Sequence, residues 1–450
     1  MSAADASPLG PGQDQPGKRP LPLGVIFLTL LIDLIGFSII FPLGPDLVEY
    51  YLRIDGNAGL LGWLLARSDE VAHAMGRDHA FAAVLFGGVL TSFYAILQFV
   101  FAPFWGALSD RHGRRPVLLV TVGGTALGYV VWIVSGSFWL FVLSRIVSGG
   151  FSGNLSVATA AVADVTTRKE RSRAMGIVGA AFGLGLVTGP VLGAVCAQFD
   201  LLQHHPSLGA WGINRYSVPA AVSLVLCIAN LGWVHRSFRE TLPAGARSGS
   251  RDTRIRNPVK AILGLENGDI RRANLVAFVY SVAFVSMEAT VTFLAAERFN
   301  YNAAKNGIML GFLGVCSIIT QGFIVRMLLK KADEIPVLYG GLASTCAGLL
   351  AVGLSPAPWV MYVGLALIAT GSGLVNPSTS GLISLYASQE EQGRVLGIFR
   401  SLGSLSRAFT PMLAGAIFFL IGSRWVFACA AALTIAALGF ATRLQPPERE

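Results

Sequence analysis

The sequence predicts an all-α polytopic membrane protein, with twelve transmembrane helices in two pseudo-symmetric six-helix bundles. Three observations predict it. The 450 residues are 53% hydrophobic and only 13% charged, whereas soluble chains are about 25% charged, so there is too little polar surface to cover several water-soluble cores. Apolar runs long enough to cross a hydrocarbon core of about 30 Å recur twelve times along the chain. A stretch of the first half also repeats in the second. Disorder, collagen and a disulfide scaffold are excluded by the apolar content and by only 5 Cys in the chain. The 52 Gly suit membrane helices, where this residue is more frequent than in soluble ones.

In chain order the predicted spans are 22–44, 82–107, 117–136, 138–161, 173–198, 216–235, 272–296, 308–329, 335–354, 358–384, 396–421 and 424–442. Short loops remain between them. Residues 1–20, rich in Pro, Gly, Ser and Asp, read as a disordered tail. They are not a cleavable signal peptide, because the first span is too long for one and lacks a small-residue cleavage site. Residues 21–235 then form the first six-helix bundle, 236–271 a basic linker, 272–443 the second bundle and 444–450 a tail. The segment 46–81 reads as a long external loop, with an interfacial helix over 60–75. All five Cys fall within spans, as small packing residues.

Orientation follows from the basic residues. With alternating sides, 24 Lys and Arg fall on the side of the N-terminus and 7 on the other. The positive-inside rule therefore places both termini in the cytoplasm, in a cell inner (plasma) membrane. The net charge of +9 is mostly this topology signal rather than a nucleic-acid surface. The expected partners are the lipid bilayer, a small-molecule substrate and protons; no nucleic acid is expected, and the protein reads as a monomer.

The repeat aligns 170–192 with 391–413. Glu170, Gly176, Ile177, Leu184, Pro190 and Leu192 fall on Glu391, Gly397, Ile398, Leu405, Pro411 and Leu413. Span 5 thus matches span 11, as two parallel six-span halves require. Halves related in this way are a transporter device, with substrate bound between them near the midplane.

After span 2 come Gly106, Asp110, Arg111, Gly113, Arg114 and Arg115. On physical grounds Gly113 allows a tight turn, Asp110 is placed to cap a neighbouring helix N-terminus, and the arginines anchor the loop to one face. The loop resembles the signature of the major facilitator superfamily between its second and third helices. That resemblance implies a gate that holds the cytoplasmic side closed. In span 5, Gly176, Gly185, Gly189, Pro190 and Gly193 resemble the antiporter motif of drug:proton exporters, with Ala194 departing at the last position. The four-residue recurrence of Gly185, Gly189 and Gly193 makes a smooth strip for a close helix neighbour, and Pro190 bends the helix. Arg145, Gly149 and Gly153 resemble the proton-antiporter motif of span 4.

With Asp33, Gly36, Pro42 and Pro45 of span 1, most of the first half resembles the twelve-helix bacterial tetracycline exporters and the animal tetracycline-transporter-like proteins. The second half is closer to the animal group, at 286–299 and 400–413. Two departures stand out. Gly128 occupies the position of the exporters' acid in the third helix, and there is neither an intramembrane His nor an acid in span 9. Chelated tetracycline is therefore not the expected substrate.

Of the 25 acids, only Asp33 and Glu288 lie well inside the predicted spans. Charges at that depth are costly, and their usual role is functional. By the resemblance, spans 1, 4, 7 and 10 line the cavity, so Asp33, Arg145 and Glu288 face it. Proton coupling needs a group that loads and releases protons, and a carboxylate in an apolar cavity does so nearer to neutral pH. Asp33 and Glu288 are the expected carriers; fixed ion pairs with Arg145 or Arg407 are the competing reading. Arg407 either binds an anionic group on the substrate or neutralises Glu288. Arg400 shares its face and snorkels to the interface. Asn154 and Asn376 are further cavity candidates, with helix-to-helix hydrogen bonding as the preferred alternative, and Asn376-Pro377 predicts a bent span 10.

No phosphate loop, zinc spacing or nucleophile elbow is present. Neither a catalytic residue nor a metal or other cofactor is expected. The expectation is a proton-coupled secondary transporter that exports amphiphilic organic compounds by alternating access. The alternatives are an organic-anion facilitator or symporter, and a non-transporting membrane scaffold.

Overall fold

The computed structural model describes residues 23–55, 59–74, 82–166, 168–242, 264–265, 267–328, 332–387 and 391–447. The expected tail at 1–20, the last three residues of the one at 444–450, and most of the linker 236–271 lie outside the described residues. Among the described residues, twelve helices are long and apolar enough to cross a membrane. The described residues contain helices and turns but no strand, as expected where only internally hydrogen-bonded backbone is stable in lipid.

Span 1 is Leu23–Ser38, a 3₁₀ turn at Phe41–Leu43, and Gly44–Asp55. Span 2 is Ala82–His112 and span 3 Arg114–Ile133. Span 4 is broken into Phe138–Phe151 and Asn154–Val165. Spans 5 and 6 are Arg168–Cys196 and Ser217–Ser237. Span 7 is Gly268–Phe299; span 8 is Ala303–Ile319, continued by a π-turn at Thr320–Ile324. Spans 9 to 12 are Glu334–Gly353, Pro358–Tyr386, Gln392–Ile421 and Ser423–Ala441.

One expectation needs correction. Residues 46–55 are not loop: the helix resumes at Gly44 and runs to Asp55. Leu47, Val48 and Tyr51 of this piece are buried, so its acidic residues mark an amphipathic extension rather than a break. A helix is present where one was expected at 60–75, as Gly59–Ala74.

The helix neighbours show the pseudo-symmetry directly. Span 1 packs on spans 5 and 6, span 3 on spans 4 and 6, and span 2 on span 4. Span 7 packs on spans 11 and 12, span 9 on spans 10 and 12, and span 8 on span 10. Each pairing recurs six spans later. Between the halves the same exchange holds: span 2 meets span 11, and span 5 meets span 8. Leu30, Trp132, Phe141 and Val157 centre the core of the first half. Among the described residues three buried clusters serve the second, one around Met287, Val291 and Phe427, one around Tyr280, Leu338 and Ile398, and a small one of Val325, Val337 and Leu374.

With an even number of crossings, span 1 begins and span 12 ends on one face, here the terminal face; the opposite side is the far face. At the far face the halves are in close contact. A Cβ on Gly415 would meet the Val84 carbonyl at 3.0 Å, and one on Gly307 would meet the Pro190 carbonyl at 3.0 Å. Val84 belongs to the core of the second half and Ala303 to that of the first.

Candidate functional site

The centre of the first half is polar within an apolar bundle. Asp33 lies ten residues into span 1, about 15 Å along the helix axis. Its Oδ1 accepts a 2.8 Å hydrogen bond from Asn154 Nδ2. Asn154 reaches it because span 4 breaks at Ser152 and Gly153. A Cβ on Gly153 would stand 2.5 Å from Trp105 Cβ, so only glycine lets span 4 restart against span 2. Asn154 opens the second piece and is 4% exposed, so its amide is committed to Asp33 and the protein interior.

Arg145, on the first piece, takes a different course. Its guanidinium carbon lies 4.8 Å from the Trp132 ring centre and 5.4 Å from that of Phe141, at the separation of a cation–π contact. Its Nε bonds Ser144 Oγ at 3.2 Å, and its Nη2 is buried with no hydrogen-bond partner. Tyr51 stacks on Phe141 at 5.0 Å, and its hydroxyl bonds the Ser135 carbonyl at 2.8 Å. The competing ion pair between Arg145 and Asp33 is not formed. Tyr94 lies within electrostatic reach of both residues, and its ring stacks on Phe37.

In the second half, Glu288 lies eleven residues before the end of span 7, about 16 Å from the far end. It is partly exposed, and Arg407 is within electrostatic reach. Among the described residues, no Lys or Arg nitrogen lies within the 4.0 Å of an ion pair with Glu288. Arg407 and Arg400 are both exposed, and the Arg407 guanidinium folds back along its own helix toward Gly403. Asn376 is exposed on span 10, beside Pro377 within the helix. Gly373, one turn earlier, packs on Thr320 of the π-turn in span 8.

The loop between spans 2 and 3 is a charged knot. Arg114 Nη1 bonds Asp110 Oδ1 at 2.5 Å and Ser109 Oγ at 2.7 Å, and its Nε bonds Asp164 Oδ2 at 2.9 Å. Gly106 accepts from Ser109 Oγ at 2.8 Å. Gly113 has φ of 99°, a left-handed turn that glycine adopts without strain. The start of span 3 is capped by Glu240, which follows span 6. Its Oε1 accepts from Arg114 N at 2.8 Å and its Oε2 from Arg115 N at 3.2 Å. A carboxylate is favoured at a helix N-terminus, and Asp110 pairs with the Arg114 side chain. Arg115 Nη2 donates to the His235 carbonyl, and Arg111 is exposed.

The glycine strip of span 5 serves a seam within one half. A Cβ on Gly185 would crowd Leu34 at 2.6 Å, one on Gly189 would overlap Ser38, and one on Gly193 would overlap the Ile39 carbonyl. All three neighbours belong to span 1. Ser38 Oγ completes the seam by donating to the Gly185 carbonyl at 3.0 Å. Gly176 and Pro190 lie in the same helix. The contact between halves is instead made by glycines of span 8, which the sequence reading missed. Gly311 faces Val191 at 2.8 Å, and Gly307 and Gly314 face Ala194 and Val187. Their spacing of four and three residues was the available signal.

Gly128 has no room for the acid found there in the exporters. A Cβ would overlap Ser148 Oγ and lie 3.1 Å from the Ser144 carbonyl.

Comparison with known proteins agrees with this architecture. The family model described as Major Facilitator Superfamily matches residues 26–411 and 276–450. Major facilitator superfamily domain-containing protein 10 of Bos taurus is 31% identical, over 100% of this chain and 98% of its own length. The class C tetracycline resistance protein of Escherichia coli is 27% identical, over 89% of this chain and 90% of its own. Among solved structures, the human organic anion transporter MFSD10 is 31% identical, with a TM-score of 0.72, over 95% of this chain and 100% of that one. In fold, in span order and in kinship, the chain belongs to the major facilitator superfamily, as a multi-pass membrane transporter of small molecules related to the tetracycline efflux proteins and to MFSD10.

Proposed function

We propose that the protein is a proton-coupled secondary transporter that exports amphiphilic organic compounds by alternating access, with Asp33 and Glu288 as the proton carriers. One observation carries this reading. Each half holds one carboxylate near mid-depth, and neither is locked in an ion pair: Asp33 is held by a neutral amide, and Glu288 stands free of any cation within 4.0 Å among the described residues. Such a group can exchange protons as its access alternates between faces, whereas a paired one is held charged. Asn154 keeps Asp33 oriented. Asn376 and Arg407 present polar atoms toward the cargo, and the Arg114 knot holds the loop of the terminal face rigid.

The bias in basic residues supports a plasma-membrane protein with both termini in the cytoplasm. On that reading the segment 236–271 links two six-helix bundles, and the unit is a monomer. The test is transport in proteoliposomes with an imposed pH gradient. Uphill accumulation that survives in both Asp33→Asn and Glu288→Gln would refute the assignment.

A second reading is an organic-anion facilitator or symporter. The exposed, unpaired Arg407 favours it, as does the relative described as an organic anion transporter. The sign of the pH dependence separates the two. An exporter dissipates an inward proton gradient as substrate leaves, a symporter dissipates it as substrate enters, and a facilitator is indifferent to it.

A further inference from the structure

At the far face most contacts between the halves are non-directional, glycine against side chain or carbonyl. One is different. Asp46, on the extension of span 1, accepts a 2.8 Å hydrogen bond from the backbone N–H of Ala303. Ala303 is the first residue of span 8, and its N–H is one of those that a helix start leaves without an internal partner. Asn302 caps the same helix but satisfies Lys305 instead, at 3.1 Å. The orphan N–H of a second-half helix is therefore capped by a carboxylate from the first half. Charge-assisted bonds of this kind are roughly twice as strong as neutral ones, and the helix dipole adds to them. Among the described residues, Arg215, before span 6, and Glu49, one turn along the same helix, are charged groups within electrostatic reach of Asp46.

One turn into span 8 lies the opposite situation. Asn306 is fully buried, and neither its Oδ1 nor its Nδ2 has a hydrogen-bond partner. A buried amide with no partner disfavours the state that buries it. Separation of the halves at this face would admit water to Asn306 and would break the Asp46 bond.

We propose that Asp46 is a positioning residue of alternating access: it hooks span 8 to hold the far face closed, and Asn306 acts against it by favouring opening. The pair sets the ratio of closed to open states without touching the cargo. This proposal concerns the gate alone and is independent of which residues carry protons.

The experiment is pulsed electron–electron distance measurement on a cysteine-free, otherwise full-length chain. Spin labels are attached at Trp211→Cys and Trp359→Cys, two exposed positions beside the far face, one in each half. Asp46→Ala is expected to raise the open-to-closed ratio about tenfold, the scale for losing a hydrogen bond to a charged group. Asp46→Asn keeps an acceptor oxygen without the charge, so it is expected to fall between the wild type and Asp46→Ala; it also reports if the alanine variant does not fold. Asn306→Leu is expected to lower the ratio severalfold. Unchanged distances in both Asp46 variants would overturn the hook. A shift toward open states in Asn306→Leu would overturn its opposing role.

Discussion

Asn154 and Asp33 are 121 positions apart in sequence and 2.8 Å apart in the structure, amide nitrogen to carboxylate oxygen. The carboxylate thus has a partner that orients it without fixing its charge. Asn154→Leu removes that partner and leaves a half-buried acceptor, at a cost of about 1 kcal/mol. A lower melting temperature in detergent, together with a displaced pH profile of transport, is the expected result. Wild-type values for both would show that the bond does no such work.

Arg145 is a buried cation stabilised by two aromatic faces rather than by an acid. A buried charge is often replaceable by an apolar side chain without loss of stability. Arg145→Leu is therefore expected to melt at or above the wild-type temperature while losing transport. A large drop in stability with transport retained would mean that Arg145 is only a packing element.

The seam between spans 1 and 5 tolerates no side chain at Gly189 or Gly193. Alanine at either position overpacks it, by about 1–3 kcal/mol. Gly179, on the same helix, has nothing within 4 Å of a Cβ, so Gly179→Ala is expected to be neutral or slightly stabilising. Thermal unfolding of the three variants side by side tests the contrast; equal behaviour would contradict the packing.

Glu240 holds the start of span 3 through two backbone bonds. Losing a helix cap costs about 0.5–2 kcal/mol. Glu240→Ala is expected to speed hydrogen exchange at Arg114 and Arg115 without changing it in span 10. Exchange left unaltered at both arginines would argue that the knot of Arg114 side-chain bonds suffices alone.

Gly128→Asp restores the acid that the tetracycline exporters carry, but against Ser148 and Ser144. The variant is expected to be destabilised and to gain no tetracycline transport in a resistance assay. Acquired resistance would show that span 3 can move away from span 4.

The fold was readable because spans are long and apolar, and because hydrocarbon allows few alternatives to helix. Asp33 and Glu288 were readable for the same reason, as charges where charge is costly. What the sequence left open was direction. The strip at Gly185, Gly189 and Gly193 was visible as a close-contact surface, yet its neighbour proved to be span 1 of the same half. Periodicity marks a smooth face but carries no identity for the partner. The Arg145 side chain was assigned to the cavity on family analogy, and its turn toward Trp132 depends on rotamers that no spacing encodes. Asp46 escaped notice because the apolar run ends before it, whereas the helix continues.

That continuation has a mechanical consequence. Asp33 and Asp46 lie thirteen residues apart on one element, about 20 Å end to end if wholly helical, interrupted by the short break at 39–43 that ends in the 3₁₀ turn Phe41–Leu43. A change at the midplane carboxylate need not be relayed through neighbouring helices to reach the rim. If Asp33 carries protons as proposed, span 1 would act as a lever with an elbow, and the stiffness of the turn ending at Phe41–Leu43 would decide how much of a tilt at one end arrives at the other.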